Sequence, residues 1–297
     1  MEYMGDCNVG DFFKWSVLTG SIFAVLLMMV SFDSPRENNS LEASANMHLI
    51  NDTEIPILMY HHFTEIESET SSTTVTVERF EEHMSALKDA GYNTITDDQL
   101  YRFLHFDEAL PEKPIMITMD DGYESNYIHA YPILKELGMN ATIYLVVNDQ
   151  EKTPGTIPHL TWEQTKEMYK AGVMDIQSHT FDSHYYIESE TDEGPALITI
   201  GKNEDKEVYL ERIRKDLTQS KKIIESQLQK EVVTITYPYG ATNEDVINIA
   251  KETGYKLGIT VQIGTNNSES SPFKLKRLNV INQYDGGTLL NKIEGLE

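Results

Sequence analysis

Two aspartates stand side by side in TMDDG (118–122), two histidines stand five apart in SHTFDSH (178–184), and YPYG occupies 237–240. Adjacent carboxylates repel, and a chain keeps such a pair where a cation or a proton transfer needs it. Asp-Gly is also a plain turn signal, so Asp120–Asp121 alone decides little. Five residues on an α-helix turn through about 500°, which leaves the two side chains roughly 140° apart. His179 and His184 therefore cannot act as a helical pair. The spacing predicts His179 at a strand end and His184 on the loop after it. Two imidazoles and a carboxylate make a borderline-hard donor set suited to zinc or a similar divalent ion, with positions open for water.

Residues so far apart in sequence need a scaffold that brings strand ends together. From Ile55 onward, short apolar runs alternate with helical patterns. IPILMYH (55–61), PIMITM (114–119), ATIYLVV (141–147), MDIQSH (174–179), VVTITYP (232–238) and KLGITV (256–261) read as strands. Phe80, Met84 and Leu87, a segment near Pro132, Trp162 to Ala171, the series Leu210, Ile213, Leu217, Ile224 and Leu228, and Glu244 to Glu252 read as helices. This alternation predicts an α/β fold with a parallel sheet covered by helices. Seven or so units in about 240 residues point to a (β/α) barrel more than to an open sheet. In such folds the C-terminal strand ends carry the chemistry, and Asp120–Asp121, His179 and YPYG all fall there.

TMDDG, SHTFDSH and YPYG together resemble the first three motifs of the NodB-homology polysaccharide deacetylases, carbohydrate esterase family 4, from about Ile55 to the C-terminus. The spacing of His179 and His184 and the opening LMYHHF (58–63) resemble the branch acting on poly-N-acetylglucosamine. The resemblance implies a deformed (β/α)7 barrel and a metal-dependent hydrolase that removes N-acetyl groups from N-acetylglucosamine in a cell-surface polysaccharide, poly-N-acetylglucosamine or peptidoglycan, and releases acetate. It implies Asp121, His179 and His184 as ligands of one divalent ion, zinc foremost, and Asp120 as general base. It further implies the backbone N–H of Tyr239, aimed by Pro238, as a donor to the developing oxyanion.

Two departures from the family pattern matter. No arginine precedes the Pro-Tyr of TITYPYG, which leaves Arg277 in LKRLNV (275–280) as the tether for Asp120. No histidine follows His184, so His61, His62 or Asp120 itself must protonate the leaving amine. A deacetylase-like protein that binds glycan without turnover is the alternative these departures leave. Tyr185 and Tyr186 are candidates for stacking on sugar rings or for plain packing. Residues 188–207 read as an insertion at the active-site end, and His48, His83, His105, His129 and His159 as surface or core residues.

The chain has 297 residues, 40% hydrophobic and 24% charged, with a net charge of −24. Such an acidic balance argues against a nucleic-acid partner, since nothing is left over to neutralise phosphates. Cys7 is the only cysteine, which excludes a disulfide framework and a cysteine-ligated zinc site. Trp15 to Phe32 carries no charge and is long enough to span a bilayer marginally. The expected organisation is a short cytoplasmic N-terminus (1–14), a transmembrane signal anchor (15–32), a polar linker (33–53) and a monomeric deacetylase domain (54–297) outside the membrane. A cleaved signal peptide and a secreted enzyme form the alternative.

Overall fold

The structure, a computed structural model, describes residues 53–296. The expected anchor at 15–32 and all but the last residue of the linker lie outside the described residues. Among the described residues, no helix is long and apolar enough to cross a membrane.

In chain order the strands are β1 (Ile57–Tyr60), β2 (His62–Thr64), β3 (Thr74–Thr76), β4 (Asn93–Thr94), β5 (Pro114–Asp121), β6 (Ala141–Leu145), β7 (Met174–Ser178), β8 (Tyr186–Glu188), β9 (Glu193–Pro195), β10 (Thr234–Thr236), β11 (Leu257–Ile259) and β12 (Leu278–Asn279). The helices are α1 (Val77–Asp89), α2 (Asp97–Phe106), α3 (Tyr131–Leu137), α4 (Trp162–Lys170), α5 (Lys206–Leu228), α6 (Glu244–Glu252) and α7 (Gly286–Glu294). Seven strands follow one another across the main sheet in the order β11-β10-β7-β6-β5-β1-β12, and β4 adds to β5. Every pairing in this sheet is parallel.

The sheet curls. Leu275 exchanges hydrogen bonds with Gly258 and Thr260 beside β11 (3.0 and 2.9 Å), while Val280 donates to Met59 of β1 (3.0 Å). One stretch, 275–280, thus reaches both the first strand and the last, as a deformed (β/α) barrel requires.

Side chains alternate across the strands with period two. Leu58 and Tyr60 of β1 join Phe80, Met84 and Leu87 of α1 in the outer core, while Ile57 joins Met116, Tyr144, Leu257 and Ile259 in an inner cluster. Local signals set the helix ends. Thr161 and Gln164 form a capping box that starts α4, and Gly138, at φ 67°, ends α3 in the left-handed region.

The apolar pattern misses several elements. The short strands β2, β3 and β4 offer too few residues for a period to show, and α2 carries charge through its first turn. Asp97, at the start of α2, is fully buried and accepts hydrogen bonds from Thr142 Oγ1 (2.5 Å) and Tyr144 OH (2.9 Å). The stretch 188–207, expected as an insertion, holds most of a β8–β9 hairpin that begins at Tyr186, and α5 starts at Lys206.

Candidate active site

Strand β5 extends two residues beyond the apolar run, through Asp120 and Asp121. A regular strand would send these neighbours to opposite faces. Asp121 instead takes φ 74° and Gly122 φ 83°, which turns the chain and brings the second carboxylate to the same end as the first. Glycine suits this turn, because an L side chain is strained at φ 83° and a Cβ at 122 would displace the Leu145 side chain, whose Cδ2 stands 2.6 Å away. The same logic governs YPYG, where Tyr239 and Gly240 are both left-handed (φ 60° and 69°) and a Cβ at 240 would meet Val261 N at 2.8 Å.

Asp120 and Arg277 form a buried bidentate pair, with Nη1–Oδ1 and Nη2–Oδ2 both at 2.8 Å. Arg277 is completely buried and spends its Nε on the Thr260 carbonyl (2.9 Å). Burial alone would raise the Asp120 carboxyl, but the Arg277 charge, His179 and the paired hydrogen bonds outweigh it. The group stays well below the usual carboxylate range and is ionised at neutral pH.

Asp121 Oδ1 lies 3.5 Å from His179 Nε2 and 3.4 Å from His184 Nε2. That oxygen is buried and has no hydrogen-bond partner. Donors about 2.1 Å from a tetrahedral ion stand about 3.4 Å from one another, so both separations suit a shared zinc-like ion. Among the described residues this is the one group of three such side chains with ligand atoms clustered, all within 4.8 Å of one another. His179 Nδ1 faces the Thr236 carbonyl at 3.0 Å and the Thr236 hydroxyl at 2.5 Å; a proton on Nδ1, directed at the carbonyl, is the tautomer that leaves the Nε2 lone pair toward Asp121. Burial lowers the His179 pKa to about 4, so the imidazole is neutral, as a ligand must be. The residues fit a divalent ion.

His61 and His62 separate. His61 Nδ1 is buried without a partner, and its ring is near enough to Asp120 to act on that carboxylate electrostatically. His62 Nδ1 is bonded to Ser125 Oγ (2.9 Å) and its ring meets Tyr123 edge-on, so it braces the turn after the aspartates. Pro238 is buried and Tyr239 is 41% exposed. The Tyr239 ring packs on His184 at 4.7 Å and on Tyr186 at 4.8 Å, forming an exposed aromatic rim.

His159 is a correction. Expected as an ordinary surface or core residue, it lines a cleft of about 390 Å³ together with Asp121, His184, Tyr123 and Asp149, and its ring packs on Tyr123 at 4.8 Å. No motif marks it, because the turn that delivers it is set by tertiary contacts. His83 is buried as a core residue, between Tyr60 OH (3.1 Å) and the Tyr284 carbonyl (2.6 Å). Asp216 is a second residue that no sequence motif marks. It lies on the buried face of α5 with Tyr209, Ile213, Leu217 and Ser220, and a carboxylate at an apolar helical position is the signal that could have found it.

Comparison with known proteins agrees with this geometry. The profile of the polysaccharide deacetylase family matches residues 107–258. The YxkH protein of Bacillus subtilis (strain 168) is 33% identical over 243 residues, covering 82% of this chain and 77% of the relative. The poly-beta-1,6-N-acetyl-D-glucosamine N-deacetylase of Staphylococcus aureus (strain MSSA476) is 26% identical over 268 residues, 86% of this chain and 87% of its own. Among solved structures, the Streptococcus pyogenes deacetylase PplD in complex with acetate superposes with a TM-score of 0.69 at 27% identity, over 81% of this chain and 98% of that one. With the family profile spanning half the chain and the curled parallel sheet shared with solved relatives, this chain belongs to the NodB-type polysaccharide deacetylase family, whose members hydrolyse the N-acetyl amide bond.

Proposed function

We propose that this polysaccharide deacetylase removes N-acetyl groups from N-acetylglucosamine residues of a cell-surface polymer, poly-N-acetylglucosamine first among the candidates, and that it depends on one divalent ion, zinc foremost, held by Asp121, His179 and His184. The observation that carries this reading is the ionised Asp120, locked by Arg277 beside a cluster of three donors whose buried Asp121 oxygen has no other partner. The ion, when bound, supplies polarisation of the acetyl carbonyl and lowers the pKa of water, which brings the proton within reach of a carboxylate of low basicity.

The chain's own residues do the rest. Asp120 takes the proton from the attacking water, and Arg277 keeps its two oxygens aimed. The Tyr239 N–H, presented by a left-handed backbone, donates to the acetyl oxygen as negative charge develops there. A protonated His61 gives its proton to the nitrogen as the C–N bond breaks, and the proton that Asp120 took from water then restores His61, so amide and water become acetate and amine with both side chains reset. The exposed rings of Tyr186 and Tyr239 offer apolar faces to a sugar ring.

The test is acetate release from acetylated glucosamine oligomers by the soluble part of the chain. Release should require added divalent ion and be abolished by a strong chelator, and His61→Ala should retain the ion while turnover falls by about 10²-fold. Oligomer binding without acetate release would overturn the enzyme reading in favour of a glycan-binding relative. For location, the uncharged run 15–32 supports tethering at the cytoplasmic membrane with the domain outside. Full-length chain should fractionate with membranes and be open to protease added to protoplasts. A shortened form found only in the medium would show a cleaved signal peptide instead.

A further inference from the structure

Two side chains one turn apart on α5 reach the active-site end from outside the barrel. Asp216, 8% exposed, accepts from the backbone N–H of Phe181 on Oδ1 (2.9 Å), and from the N–H of Asp182 and the hydroxyl of Ser183 on Oδ2 (both 2.9 Å). These are successive residues of the loop joining His179 to His184. The loop starts with a left-handed Thr180 (φ 77°), whose hydroxyl accepts from Ser183 N–H at 3.1 Å. A strand end fixes His179. Beyond it, Val147 and Asn148 donate to the Thr180 and Phe181 carbonyls (3.2 and 2.8 Å) and the Tyr239 hydroxyl to the His184 carbonyl (3.2 Å), while Asp216 gathers the N–H and hydroxyl groups of the three residues that lead into His184.

Arg212 lies four residues earlier. Its Nη1 donates to the Ala196 carbonyl (2.8 Å), its Nη2 to the Thr199 carbonyl (2.9 Å), and Nε and Nη2 fork onto Glu204 (2.6 and 2.8 Å). Ala196 in turn donates to the Tyr185 carbonyl (2.9 Å), and Tyr186 pairs with Pro195 in the hairpin. Arg212 therefore holds the segment that carries Tyr186 against Tyr239.

We propose that α5 positions the active site through these two contacts: Asp216 sets His184 at ligating distance, and Arg212 sets the aromatic rim that meets the sugar. The inference rests on reading Asp121, His179 and His184 as ion ligands. Both are positioning residues, since neither is assigned a contact with ion or substrate. Charge-assisted hydrogen bonds to a buried carboxylate are short and directional, which suits Asp216 to fixing a loop. Partners behind metal ligands typically change affinity about 10–100-fold when removed.

The experiment compares full-length wild type, Asp216→Asn, Arg212→Met and Ser183→Ala by zinc affinity in chelator competition, by the visible spectrum with cobalt in place of zinc, and by KM and kcat on acetylated glucosamine oligomers. Asp216→Asn should weaken zinc about 10–100-fold and shift the cobalt bands. Arg212→Met should raise KM several-fold and weaken zinc less than Asp216→Asn does, because its contacts reach the hairpin and bear on His184 only through Tyr186 and Tyr239. Ser183→Ala, which deletes one of the three bonds, should weaken zinc a few-fold and decides the matter if Asp216→Asn does not fold. Wild-type zinc affinity and cobalt bands in Asp216→Asn, or in Ser183→Ala where it must stand in, overturn the assignment of Asp216. Unchanged KM in Arg212→Met overturns that of Arg212. A wild type that binds no zinc overturns the ion site itself, an outcome distinct from both.

Discussion

Asp120→Asn should retain the ion and lose turnover by about 10²–10⁴-fold, the usual consequence of removing a general base. Asparagine keeps the shape and one acceptor oxygen for Arg277 but cannot take a proton from water. Its neighbour should fail differently. Asp121→Asn removes the charged oxygen that stands between His179 and His184, so ion affinity itself falls and excess ion restores part of the activity. Metal titration of the two variants against acetate release separates the roles. Equal loss of ion would end the division of labour between the aspartates, and full acetate release by Asp120→Asn would leave the enzyme without its base. Asp120→Asn also leaves Arg277 buried with a weaker partner, so activity is compared well below the melting temperature.

Arg277→Met should destabilise the fold by about 3–5 kcal/mol, the usual effect of stranding one charge of a buried pair. Asp120 would remain buried with its two 2.8 Å bonds gone, and among the described residues nothing else of opposite formal charge pairs with it. Methionine fills much of the volume, so the loss is electrostatic more than a cavity effect. Removing both charges, as in Asp120→Asn with Arg277→Met, should recover a large part of that stability, because no unpaired buried ion remains. Denaturant unfolding of the two single variants and the double reads out the coupling directly. A loss under about 1 kcal/mol in Arg277→Met would mean that solvent reaches Asp120 and that the pair is not the buried tether described above.

Much was legible from sequence because two periods are short-range. The apolar runs at 55–61 and 114–119 and the helical spacing of Phe80, Met84 and Leu87 mark strands and helices, and their alternation implies a parallel sheet with helices outside, while the division of Leu58 and Ile57 between two clusters comes from the structure. Motif glycines carry local physics too, since Gly122 and Gly240 both take a left-handed φ and a Cβ at 240 would strike backbone. Residue type and spacing point to two imidazoles and a carboxylate at the strand ends, whereas Asp121 as the third donor and Arg277 as the partner of Asp120 are implied by the resemblance of the motifs. Other features belong to tertiary structure alone. Which of the adjacent histidines is free, His61 or His62, turned on whether Ser125 lay within reach of each ring. That His159 lines the cleft followed from a bridge to Tyr123, and that Asp216 holds the ligand loop followed from the closure of α5 on the sheet. These contacts join residues more than thirty positions apart, where no local period or turn preference carries information, and only the packed chain brings them together.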